Sequence, residues 1–119
     1  MSLEFGVKSL EEYQLWHGVE FLGLVNKQGR LTDYAAKNDL GISKEQKEMF
    51  FMSVSLNQVM LRDYDDTLGP VNYTMTEREK FRVISVPIQE GILIVIMNKK
   101  GKIVPTIKKI LQSLNSAKS

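Results

Sequence analysis

The stretch from Ser43 to about Asp63 reads as one helix with apolar residues on two opposite sides, and no other feature limits the available folds as much. At 100° per residue, Met49, Met52, Leu56, Val59 and Met60 form one stripe, while Phe50, Val54 and Leu61, flanked by Phe51, lie almost across from it. One stripe is enough to close a small core. The second needs another cover, and a second subunit of the same chain supplies one. The first stripe is therefore assigned to the core, and Phe50, Phe51, Val54 and Leu61 to an interface between two copies.

The 119 residues fit a single domain, 1–119, large enough to bury a core without covalent staples. The 43% apolar and 25% charged fractions are those of an ordinary globular protein. The longest apolar run, Gly91 to Met97, has the length of a strand and not of a membrane span. Without cysteine there is neither a disulfide framework nor a thiolate zinc site, and the single His17 leaves any metal site to carboxylates. No metal and no cofactor are expected. No secretory signal pattern precedes Ser9, so the expected location is cytoplasmic.

The net charge of +2 is unevenly spread: four glutamates fall in the first twenty residues, and six lysines without one acid follow Glu90. There is no arginine-rich run and no aromatic residue interleaved with the lysines to stack on bases, so nucleic acid is not the expected partner. Lys108 and Lys109 are expected on an exposed helix face that steers an acidic partner protein.

Along the chain, Ser9-Leu10-Glu11-Glu12 has the form of a capping box and opens a short helix that Gly18 ends. Val19 to Asn26 and Arg30 to Ala36 read as strands joined by Asn26-Lys27-Gln28-Gly29. Ser43-Lys44-Glu45-Gln46 repeats the capping box and starts the long helix, which Gly69-Pro70 stops. Three strands follow, over Val71 to Thr76, Lys80 to Ile88 and Ile92 to Met97. In the last helix Ile103, Val104, Ile107, Ile110, Leu111 and Leu114 form one stripe, with Pro105 tolerated in the first turn. The order helix, two strands, helix, three strands, helix suits an α+β domain with a five-stranded antiparallel sheet.

The stretch Gly18-Val19-Glu20-Phe21-Leu22-Gly23-Leu24-Val25-Asn26-Lys27-Gln28-Gly29-Arg30-Leu31 resembles the opening hairpin of roadblock/LC7 domains. The element order resembles that family and its longin and profilin-like relatives over nearly the whole chain. The resemblance implies a non-enzymatic homodimer whose long helices pack together and whose third strands pair at the sheet edge, which brings Tyr73 to the interface. It further implies a platform for a small Ras-like GTPase or for a larger complex.

Other motifs carry less. Asp63-Tyr64-Asp65-Asp66-Thr67 matches the D-x-D-x-T string of haloacid-dehalogenase-type phosphotransferases, in which the first aspartate attacks phosphorus and the second moves the proton. That chemistry needs the string at the carboxyl end of a parallel strand. Here it follows a capped helix, and aspartate also favours turns. His17 has no nucleophile or orienting acid in its sequence context, and Gly101-Lys102 lacks the rest of a phosphate loop. No catalytic residue is assigned. Two function classes remain: a roadblock-like interaction module, and a PAS- or profilin-like ligand-sensing domain with Met49, Met52, Met60, Phe50 and Phe51 around a cavity.

Overall fold

The computed structural model describes residues 17–37 and 40–118, with side chains through residue 113. The expected first helix lies outside the described residues. The elements are β1 (Val19–Asn26), β2 (Leu31–Ala36), α1 (Lys44–Leu61), a 3-10 turn (Arg62–Tyr64), α2 (Asp65–Leu68), β3 (Thr74–Glu77), β4 (Arg82–Ile88), β5 (Gly91–Met97) and α3 (Ile103–Lys118). They form an α+β domain around one five-stranded sheet, in the spatial order β2-β1-β5-β4-β3, with every neighbouring pair antiparallel.

Local chemistry sets the boundaries. At the first hairpin, Oδ1 of Asn26 accepts the backbone N–H groups of Gln28 at 2.9 Å and Arg30 at 3.0 Å, so one side chain holds the turn closed. Gly29 takes φ +83° there, and a Cβ on it would lie 2.7 Å from the sulfur of Met52. Glycine lets the hairpin tip rest on α1. The N-terminus of α1 is closed reciprocally: Ser43 Oγ accepts the Gln46 N–H at 3.1 Å, and Gln46 Oε1 accepts the Ser43 N–H at 3.0 Å.

β5 is apolar along its whole length because it is central and covered on both faces. Ile92, Ile94 and Ile96 join Phe21, Val25, Val83 and Phe51 in one buried cluster, beneath α1. Leu93, Val95 and Met97 join Val19, Leu22, Ile84 and Val86 in the other, with Ile107 and Ile110 of α3. A register shift between Val19 and Phe21 puts Val19 and Leu22 into the same cluster.

One expectation about α1 is corrected. Phe51 is 2% exposed and stacks on Phe21, with ring centroids 5.7 Å apart, so it belongs to the core and not to an interface. The arc of α1 that meets the sheet is Phe51, Ser55 and Gln58. The stripe assigned to the core is the exposed one: Met49 is 74% and Met60 67% accessible, and Met52, Leu56 and Val59 are exposed as well. The physical reason lies in the sheet. The Phe21 ring folds over Gly23 of β1, where a Cβ would meet it and Leu31 at 2.8 Å, and Phe51 is the residue of α1 that stacks on that ring.

Candidate interaction surface

The two outer edges of the sheet are finished differently. On β2 the backbone N–H of Tyr34 donates to Oδ1 of the preceding Asp33 at 2.9 Å, so a side chain occupies an outward donor and blunts strand addition. Among the described residues, β3 pairs with β4 on one side and with no strand on the other. The Arg78 N–H donates to the Phe81 carbonyl at 2.8 Å, which fixes the phase of that ladder. Thr76 and Thr74 then turn their backbone groups toward β4, leaving the N–H and C=O groups of Met75 and Glu77 outward.

Above this edge runs one flank of α1. Phe50 lines a hollow of about 730 Å³ together with Leu40, Ile42, Thr76, Phe81 and Val83. Val54 and Leu61 follow Phe50 within about 40° of helical phase. All three are half-buried, and Phe50 and Val54 rest partly on the core beneath. Tyr73, 43% exposed, immediately precedes β3. Phe50, Val54 and Leu61 thus share by helical phase the flank of α1 whose Phe50 shares the hollow with Thr76 of β3, Tyr73 stands just before that strand, and Phe51 is not among them.

The opposite flank of α1 borders a groove of about 1030 Å³, whose lining includes Phe21, Leu31 and Tyr34 of the hairpin and Met49, Met52 and Leu56 of the helix. The rings of Tyr34 and Phe21 stack there with centroids 5.9 Å apart. Sequence reasoning missed this flank as a surface, since a methionine stripe on a helix reads first as core.

Glu77 ends β3 and ties the edge to the rest of the molecule. Its carboxylate accepts from Arg82 Nε at 3.1 Å and from Lys99 Nζ, and Arg82 Nη1 also donates to the Gly101 carbonyl at 3.2 Å. The hydrogen bond from Lys99, then that from Arg82, holds the Glu77 carboxyl below the usual carboxylate range. This carboxylate is exposed, so the pair orients the end of β3 and adds little stability.

The other candidates separate from this surface. Asp63 lies in the 3-10 turn and Asp65 and Asp66 in α2, a helical segment on the exterior and not the end of a parallel strand. His17 is exposed in the turn before β1, and Lys102 is exposed just before α3. Lys108 and Lys109 are exposed on α3. Among the described residues, no helix is long and apolar enough to cross a membrane.

Neither a protein-family model nor a curated protein matches the sequence. Solved structures match the fold. A roadblock/LC7 domain from Streptomyces avermitilis superposes with a TM-score of 0.71 at 10% identity, over 92% of this chain and 91% of that one. The chain has the roadblock/LC7 fold. MglB from Myxococcus xanthus matches with a TM-score of 0.66 at 14% identity, over 82% of this chain and 78% of that chain. An MglB with a tetrameric arrangement also gives 0.66, at 11% identity, over 91% and 86%. At such identities the likeness is one of fold. In this fold, among the described residues, the open β3 edge and the half-buried flank of α1 lie side by side.

Proposed function

We propose that the chain is a non-enzymatic, cytoplasmic, homodimeric interaction module that serves as a platform or regulator for a small Ras-like GTPase or a larger complex. The observation that carries the reading is the unpaired β3 edge beside the Phe50, Val54 and Leu61 flank, set against a β2 edge that Asp33 blunts. A two-fold operation joins β3 to β3 and α1 to α1, so one contact covers both the free backbone groups and the apolar flank. That one of the similar structures is an MglB with a tetrameric arrangement supports self-association as a property this fold accommodates. Among the described residues, both hollows beside α1 open to solvent, which favours docking over enclosure of a small ligand. Light scattering on the purified chain across micromolar concentrations should give the mass of two chains. The mass of one chain throughout would remove the reading.

With β3 and the inner flank of α1 used in the dimer, α3 remains outside it. We assign Lys108 and Lys109 to steering an acidic partner. Replacing both with glutamate should leave the melting temperature nearly unchanged and slow association with such a partner at low salt, a difference that moderate salt erases. Equal rates at low salt would make this end of α3 a solvated face only.

A further inference from the structure

Among the described residues, the outer face of α1 stays uncovered in the proposed dimer, since it lies across the helix from the Phe50 flank. Met49, Met52, Leu56, Val59 and Met60 are all exposed there, at three- and four-residue spacing, beside the groove along the β1–β2 hairpin. Three of the five are methionines, whose flexible side chains adapt to the shape laid on them.

Charge decides what covers this face. By helical phase, Glu45 and, beyond the C-terminus of α1, Asp63 lie in line with the stripe at its two ends, and Glu48 lies beside it; all three are exposed. The cations of the same segment, Lys44, Lys47 and Arg62, fall on the arc that turns toward the sheet. Lys44 and Lys47 of α1 and Arg30 of the hairpin line the groove together with Glu45 and Glu48. The outward half of α1 is therefore an apolar stripe bounded by carboxylates.

A second copy fits it poorly. Antiparallel self-packing centred on the stripe sets Glu45 against Asp63 of the other copy, and parallel packing sets Glu45 against Glu45, like charges at both ends of the seam. An anionic lipid surface is repelled by the same carboxylates. We propose that the outer face of α1 docks an amphipathic helix of a partner protein whose apolar stripe is flanked by lysine or arginine. The apolar residues of that helix seat on Met49, Met52, Leu56 and Met60, and its cations meet Glu45, Glu48 and Asp63.

The test uses two labelled helical peptides as long as α1, each with leucine at heptad spacing, one flanked by lysines and one by glutamates. Fluorescence anisotropy with the full chain should show the lysine peptide bound about tenfold or more tightly than the glutamate peptide at low salt. Leu56→Glu, and separately Met60→Glu, should weaken it by about tenfold or more, the loss expected when one apolar contact is replaced by a charge. Both positions are exposed, so the melting temperature serves as the control for folding. Reversing Glu45, Glu48 and Asp63 to lysine together should exchange the two preferences. Equal binding of both peptides, binding of neither, or indifference to Leu56→Glu would overturn the proposal. So would a mass above two chains that returns to two in Leu56→Glu, because a second copy would then be the occupant. A monomeric unmutated chain would defeat the dimer and leave this test standing, since the peptides report on the outer face alone.

Discussion

Ile94→Ala should cost about 2–5 kcal/mol of folding stability, the range for truncating a buried isoleucine or leucine in a core that relaxes only in part. Ile94 is 0% exposed, in the strand that pairs with both β1 and β4. Its side chain belongs to the cluster of Phe21, Phe51 and Ile96 beneath α1. The neighbours directly across the ladders are Gly23 and Ser85, small residues that cannot lean in to fill a cavity. Against a total stability of about 5–15 kcal/mol for an ordinary domain, this loss is large. Urea unfolding should move to a lower midpoint with an unchanged slope, because the surface exposed on unfolding stays nearly the same. Met60→Ala, on the exposed side of α1, should stay within about 0.5 kcal/mol of the unmutated chain. Comparable losses at both positions would mean that the two sides of the helix have been assigned in the wrong order.

Val54→Glu should separate the proposed dimer into folded monomers. Val54 is half-buried on the flank beside β3, and a carboxylate there must either stay hydrated, holding the helices apart, or lose its water at a heavy cost. Each copy also forfeits much of the roughly 1.5–3 kcal/mol gained by burying such a side chain. The two together weaken association by about a hundredfold or more. Because Val54 also touches the core, Met75→Pro provides an independent check. The outward N–H of Met75 makes no bond to β4, so proline removes a donor only from the free edge, where it is tolerated. Both variants should retain a cooperative melt and show the mass of one chain. A dimer that survives both would place the interface away from β3.

Much of this fold was legible because its punctuation is local. The Asn26 side chain closes its own hairpin, and Ser43 and Gln46 cap their own helix, so residues within four positions of one another carried the signal. The continuous run from Gly91 to Met97 likewise announced a strand covered on both faces. The orientation of α1 was not legible. Its buried arc includes Ser55 and Gln58, two polar residues that hydropathy assigns to water. Gln58 is buried with its Nε2 unpaired among the described atoms, an arrangement that only tertiary packing imposes. Two apolar stripes then flanked an inconspicuous polar one, and Phe51, nearest the true arc, was grouped with its neighbour Phe50. β3 begins at Thr74 rather than Val71 although β4 runs on to Ile88. The next hydrogen-bonding pair in register is Asn72 with Pro87, which has no N–H to donate, and that pairing is visible only once the register is known. The Asp33 cap on the β2 edge was hidden for the same reason, as an edge exists only once the strand order is known.

Backbone hydrogen exchange in β3 tests the proposed assembly most directly. At concentrations where two chains associate, the amides of Met75 and Glu77 should be protected although neither bonds to β4, and Val54→Glu should release that protection while Thr74 and Thr76 keep theirs. If Met75 and Glu77 in the unmutated chain exchange as fast as open backbone while Thr74 and Thr76 stay protected, the β3 edge faces water and the dimer proposed on it does not form.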